Sequence, residues 1–214
     1  AALRASGAAI AAVDAVLTGE IAAGFTCGRP PGHHAERALP MGFCIVNHVA
    51  VAAAHARAAG VERVAILDWD AHHGNGTQAS FWEDPSVLYV SLHQYPFYPG
   101  TGAASERGGG EGAGANVNIP LRAGTSEGAF LDAVRSQALP ALRAFDPGLL
   151  LVSAGFDAHA ADPLTDLGLT AGAFATMTRE LRGIGAGPVM VLEGGYDLLA
   201  LRDSTAATLA VLAE

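Results

Sequence analysis

The 214-residue chain has no lysine; all 12 of its basic residues are arginine. Against 21 acidic residues this gives a formal net charge of −9, and no basic stripe interrupts it. A nucleic-acid-binding domain carries such a stripe, so direct nucleic-acid binding is not expected. The lysine deficit itself suits a chain rich in Ala, Gly and Arg and implies nothing functional. Long apolar runs are missing too. Half of the residues are hydrophobic and only 15% are charged, which excludes a disordered, solvated chain. Yet no uncharged apolar run reaches the roughly 18–20 residues that span a bilayer, and no membrane span is expected. The Ala-rich opening is interrupted by Arg4, Asp14 and Glu20. It reads as an amphipathic helix, not a secretory signal. Cysteine is scarce. Cys27 and Cys44 are the two present, which fits a reducing, cytoplasmic compartment without a disulfide. The chain opens at Ala1, inside a helical pattern, and stops within another at Ala206 to Glu214. The expectation is one domain lacking its beginning.

What is present alternates. Helical patterns cover 1–17, 44–59, 75–82, 126–144 (disturbed at Pro140), 170–183 and 197–212, and strand patterns cover 24–29, 63–69, 87–92, 116–119, 149–153 and 188–192. The segment His93–Ala115 is a long Gly- and Pro-rich loop, and such loops in compact domains are functional or mobile. Apolar strands alternating with helices predict an α/β fold, a central mostly parallel sheet between two helical layers. Ligands of such sheets bind beyond the carboxyl ends of the strands.

The residues beyond those ends carry chemistry. The strand 63–69 runs into Asp68-Trp69-Asp70-Ala71-His72-His73-Gly74-Asn75-Gly76. Alternation along extended backbone sends Asp68, Asp70 and His72 to one side. Two carboxylates and an imidazole at a strand end suit a divalent metal, zinc first; the blander reading is a capped, hydrogen-bonded turn. The strand 149–153 leads to Asp157, His159 and Asp162-Pro163. Asp162, held extended by its proline, could supply a third ligand and leave the fourth position to water; taken alone, it also reads as a turn starter. Asp157 and His159 read as flanking or surface groups as readily as ligands. The strand 24–29 leads to Pro30-Pro31-Gly32-His33-His34, and the strand 188–192 to Glu193-Gly194-Gly195-Tyr196. Four polar, Gly-rich loops converging on one sheet end make a strong joint signal.

These segments resemble the histone deacetylase family. The resemblance rests on Arg29 to Ala35, Gly42-Phe43-Cys44, Asp68-x-Asp70-x-His72-His73-Gly74-Asn75-Gly76, Ser91-Leu92-His93, Ala161-Asp162-Pro163 and Gly194-Gly195-Tyr196. It runs from about residue 25 to the end, with a class II flavour from Asn75 and the Arg-Pro-Pro-Gly lead-in. The resemblance implies the arginase-deacetylase fold, with its opening strand and helices missing, and a zinc ion held by Asp70, His72 and Asp162. It implies a histidine pair, His33 partnered by Asp68 and His34 by Asn75, with Tyr196 facing the scissile carbonyl. It further implies that Phe43 and Tyr98 wall an acyl tunnel, that Gly42 offers its carbonyl to the substrate amide, and that Leu164 stands at the mouth. A potassium ion is implied near Asp68, Asp70, His72, Ser91 and Leu92, and a second monovalent site around Phe81, Asp84 and Val87.

The implied activity is metal-assisted hydrolysis of an acylated lysine or a small acylated amine. His34 is the general base, its neutral partner Asn75 leaving it unprotonated near pH 7, while Asp68 keeps His33 charged. Leu164 stands where polyamine-selective relatives tend to place an acid, which favours an acyl-lysine or other neutral-stemmed substrate over an acetylpolyamine. Two alternatives compete. A binuclear-manganese ureohydrolase needs further carboxylates, whereas Gly74 replaces one and Asp157 and Asp162 are five residues apart rather than two. A binding protein descended from an enzyme would not retain this full set of reactive groups.

Overall fold

A computed structural model describes residues 1–214. Six strands, β1 (Gly24–Thr26), β2 (Val64–Asp68), β3 (Val87–Gln94), β4 (Asn116–Leu121), β5 (Leu149–Ala154) and β6 (Ala186–Leu192), form one sheet in the order β1-β6-β5-β2-β3-β4. Every pairing is parallel. Parallel strands buried on both faces need apolar residues of both parities, and β2 supplies them. Val64 and Ile66 join a cluster with Val13 of α1 (Ala2–Leu17) and Val49 of α2 (His48–Ala58). Ala65 and Leu67 join the opposite cluster. There they meet Phe130 of α4 (Glu127–Ala133), Leu142 of α5 (Leu139–Phe145) and Phe174 of α6 (Ala171–Glu180). The remaining helices are α3 (Asn75–Phe81) and α7 (Leu198–Leu212). The result is the expected three-layer αβα fold with a wholly parallel sheet. No helix is long and apolar enough to cross a membrane.

Local chemistry moves two element boundaries. The helix expected from Cys44 begins at His48, because Asn47 caps it by accepting from the Ala50 N–H and Met41 to Cys44 form a tight bridged turn. The helical run before Pro140 widens into a π-turn over Val134–Ala138. Proline has no N–H for the carbonyl four residues earlier, and the backbone absorbs that loss one turn ahead.

The strand order reverses beside β2. From β2 the chain adds β3 and β4 on one side, and it later returns to add β5 and β6 on the other. A crevice opens beyond the carboxyl ends of the strands at such a switch point. The loops after β2 and β5 flank it directly.

Candidate metal centre and histidine pair

The carboxyl end of β2 delivers Asp70 and His72; the carboxyl end of β5 delivers Asp157. One ligand atom from each lies within 4.8 Å of the others, and all three residues are buried. His72 Nδ1 stands 3.1 Å from Asp70 Oδ1 and 2.9 Å from Asp157 Oδ2. Bonds of about 2.0–2.1 Å to a tetrahedral zinc put neighbouring ligand atoms roughly 3.3 Å apart, so the donor set fits that ion. The remaining carboxylate oxygens are tied down: Gly194 N–H donates to Asp70 Oδ2 at 2.8 Å, and Ala71 N–H donates to Asp157 Oδ1 at 2.8 Å. Both carboxylates come this close only because Gly155 and Gly194 lack a Cβ, which would overlap Asp70 at the first and both Asp70 and Asp157 at the second.

Burial pushes the Asp157 carboxyl up to about 7, and the neighbouring Asp70 charge adds to the rise. Burial acts downward on His72, but hydrogen bonds and charges from Asp157 and Asp70 carry it to about 10. The spot therefore favours a positive charge between the two carboxylates.

This geometry corrects the expected ligand set. Asp162 is not in the cluster. Its Oδ2 accepts from the N–H of Tyr196 at 2.7 Å and of Asp197 at 3.4 Å, and its Oδ1 accepts from the Leu164 N–H at 3.0 Å. A carboxylate filled by three backbone donors is an anchor, and it is Asp157 that groups with Asp70 and His72. Asp68 also turns away from the ligand cluster, its Oδ2 accepting from His33 Nδ1 at 3.0 Å and from the Tyr89 hydroxyl at 2.9 Å.

The loop after β1 places His33 and His34 side by side, ring centroids 4.1 Å apart, with His34 6.0 Å from His72. Glu193 holds that loop from beyond β6, accepting from Gly32 N at 2.6 Å and His33 N at 3.1 Å. Burial alone would lower His33, but the carboxylates of Asp70, Asp68 and Glu193 raise it well above its ordinary value. Burial and the adjacent His33 charge lower His34 to about 3. His34 Nδ1 lies 2.9 Å from Asn75 Oδ1, while Asn75 Nδ2 donates to Glu36 Oε1 at 2.7 Å. Glu36 can only accept, so it fixes which end of the Asn75 amide faces His34. His34 then carries its proton on Nδ1 and keeps the Nε2 lone pair free.

Around this pair stand the expected mouth residues. Gly42 and Phe43 both adopt positive φ, 54° and 64°. A Cβ at Gly42 would overlap the His34 ring, and the turn leaves Phe43 70% exposed. The Gly42 carbonyl accepts from the Cys44 thiol at 3.3 Å. The Phe43 ring lies 6.0 Å from Tyr196, and Tyr98 meets His34 edge-on at 5.2 Å. Phe97, which no spacing argument singles out, stacks on His72 at 5.3 Å. Glu106 anchors the loop carrying Phe97 and Tyr98, accepting from Gly102 N, Ala103 N and Gln78 Nε2. Leu164 is exposed beside the Asp162 anchor. Burial and the charges of Asp70 and Asp157 push the Tyr196 phenol upward, so it stays a donor. Parallel pairing sets Asp68 opposite Ser91, which brings the 68–72 segment alongside Ser91 and Leu92. Further along, the carbonyls of Phe81 and Asp84 accept turn bonds from Asp84 and Val87.

A buried Asp-His-Asp cluster that could hold a metal ion thus stands at the switch point of a parallel α/β sheet, flanked by a histidine pair and a phenol. The sequence model of the Histone deacetylase domain matches residues 1–212, and the chain belongs to that family. The chain is 46% identical over 213 residues to Histone deacetylase clr3 of Schizosaccharomyces pombe, covering 95% of this chain and 31% of that protein. It is 45% identical over 202 residues to a Probable deacetylase of Archaeoglobus fulgidus, covering 92% and 56%. The solved HDA15 HD domain superposes with a TM-score of 0.95 at 43% identity, covering 98% of this chain and 62% of that one. The chain spans between 31% and 64% of the length of such curated relatives.

Proposed function

We propose that this chain is a zinc-dependent deacylase that hydrolyses the amide of an N-acyl-lysine or a related acylated amine, releasing a carboxylate and a free amine. The observation that carries the reading is the meeting of Asp70, His72 and Asp157 beside a neutral His34 and a protonated Tyr196. A bound zinc would supply Lewis acidity at the acyl oxygen and a lowered pKa for water. Every other part belongs to side chains. His34 Nε2 takes the proton of the water that adds to the acyl carbon, and it delivers that proton to the amide nitrogen as the C–N bond breaks, so that the amine leaves neutral. His33, held charged by Asp68, acts on developing negative charge from its side. The Tyr196 hydroxyl donates to the acyl oxygen as it becomes anionic. Phe43, Tyr98 and Leu164 are uncharged and exposed at the mouth, which suits an alkyl stem better than a polycation. A potassium ion beside Asp68, Asp70, His72, Ser91 and Leu92 is part of the same proposal.

Against the two-metal ureohydrolase reading stands Asp162. It is the further carboxylate such a site would recruit, and its oxygens already serve Tyr196, Asp197 and Leu164. The test is release of amine from a fluorogenic N-acetyl-lysine peptide. We expect turnover abolished by a chelator and restored by zinc at about one ion per chain. The reading fails if metal-loaded protein is inert across acetyl-lysine peptides, acetylpolyamines and short-chain acyl amines.

A further inference from the structure

We propose that Asp162 and Arg29 are positioning residues that clamp the Gly195–Tyr196 peptide from its two poles and so set where the Tyr196 hydroxyl stands. This rests on the reading of Tyr196 as the donor to the substrate oxygen. The peptide's N–H, that of Tyr196, donates to Asp162 Oδ2 at 2.7 Å. Its C=O, that of Gly195, accepts from Arg29 Nη2 at 3.0 Å. One peptide unit thus has an anion on its donor and a cation on its acceptor. Hydrogen bonds to charged groups are about twice as strong as neutral ones.

The clamp answers a specific local problem. Gly195 has φ 129°, in a region that glycine alone visits readily. Its neighbour Gly194 must also be glycine to admit Asp70 and Asp157. Two successive glycines leave the plane before Tyr196 with little intrinsic preference, and placement of the phenol demands one orientation. Both clasps reach beyond this plane. Arg29 Nη1 donates to Glu193 O at 3.0 Å, and its guanidinium carbon lies 5.9 Å from the Tyr196 ring centre. Asp162 is nearly buried, 6% exposed, and sits five residues past Asp157 in the same loop. The Thr165 hydroxyl donates to the Asp157 carbonyl at 2.6 Å. The loop that presents a metal ligand therefore also orients the phenol, which keeps the two in fixed relation.

The experiment is a double-mutant cycle on zinc-reconstituted protein with an N-acetyl-lysine fluorogenic peptide, with zinc content and thermal midpoint recorded for each variant. Displacing a reacting group by about 1 Å lowers rate by up to roughly 10²-fold. Asp162→Asn is therefore expected to lower kcat about 10- to 100-fold, with KM nearly unchanged and zinc retained. In a Tyr196→Phe background the same substitution should lower kcat no further, because there is no hydroxyl left to misplace. General structural damage would multiply instead. Arg29→Gln tests the carbonyl pole in the same way and carries the test if Asp162→Asn does not fold. Unchanged kcat in Asp162→Asn, loss of its zinc, or multiplicative losses with Tyr196→Phe would each overturn the clamp. A normal kcat in Tyr196→Phe alone would instead remove Tyr196 from the reaction and the clamp's purpose with it.

Discussion

Replacing Asp157 by Asn separates the ligand role from the structural one, because the two respond with opposite signs. The substitution is isosteric. The carbonyl oxygen of the introduced amide can still accept from the Ala71 N–H, a bond that Asp157 Oδ1 makes at 2.8 Å. What changes is the atom 2.9 Å from His72 Nδ1, which becomes a neutral NH2. Structural zinc sites with four ligands bind with apparent free energies of about 10–16 kcal/mol, or roughly 3 kcal/mol per ligand. Zinc affinity should fall on the order of 10²-fold. Without metal the sign reverses. Asp157 titrates near 7 instead of its ordinary 3.8, chiefly because it is buried, so its ionised form opposes folding. That penalty is absent below pH ~4, grows as pH rises towards 7, and is complete above it. The full rise corresponds to roughly 4 kcal/mol, but His72 and Asp70 titrate with it and share the effect. A gain of about 1–3 kcal/mol for metal-stripped Asp157→Asn at pH 8 is the expectation, raising Tm by a few degrees. Chelator-competition titration reads the first effect and thermal melts of stripped protein read the second. Parental zinc affinity in Asp157→Asn, together with loss of zinc in Asp162→Asn, would refute the ligand assignment.

Other consequences are equally open to measurement. Tyr196→Phe should lower kcat by about 10²–10³-fold, the scale of one lost oxyanion donor, with zinc content unchanged by elemental analysis. His34 is neutral above pH ~4 because its ordinary 6.5 is lowered to about 3. Across pH 5–8 it stays a competent base, and the acid limb of kcat, with zinc loading verified at each pH, should lie below pH 5. The same shift makes His34 a source of acid lability. The unfolded chain protonates it near 6.5 and the folded chain only near 3, so its contribution to stability is full above 6.5 and is lost as pH falls through that window. Glu36→Ala removes the acceptor that orients Asn75 and should lower kcat about 10-fold, the worth of roughly one hydrogen bond. The change in Tm should be small, since Glu36 is exposed.

The fold is legible in the sequence where its signals are strong and local. Val64 to Leu67 reads as a strand buried on both faces and is one, and Asn75 to Trp82 lies within a residue of α3. Boundaries fail where a side chain or a tight turn outweighs periodicity. Asn47 caps α2 three residues beyond Cys44, and β1 ends at Thr26 although the apolar pattern invites more. The loop after β3 cannot be folded from sequence, because what orders it is distant. Glu106 gathers two loop N–H groups and Gln78 of α3, and Asn116 of β4 donates to the Glu106 carbonyl at 2.6 Å. Glu36 and Tyr89 escape assignment for the same reason. Each acts on a histidine through an intermediate residue, and no spacing rule reports a second bond.

The misplaced ligand shows what spacing leaves out. Proline holds the residue before it extended, which favours Asp162 by a purely local argument. The choice between Asp157 and Asp162 is made by strand register. Asp68 faces Ser153 across the β2–β5 pairing. Carried two residues on, that register sets Asp70 opposite Gly155, and two further on it sets His72 opposite Asp157. The geometry follows it: a Cβ on Gly155 would overlap Asp70, and His72 Nδ1 touches Asp157 Oδ2 at 2.9 Å. The centre is thus a continuation of the sheet past its last ladder bonds. A small residue faces the first ligand, and the second ligand faces the third. Asp162 lies beyond the reach of that register, which leaves it free to turn back and hold the loop from β6. A carboxylate's role at a switch point is decided by which neighbouring strand it faces, and that is information a single segment does not contain.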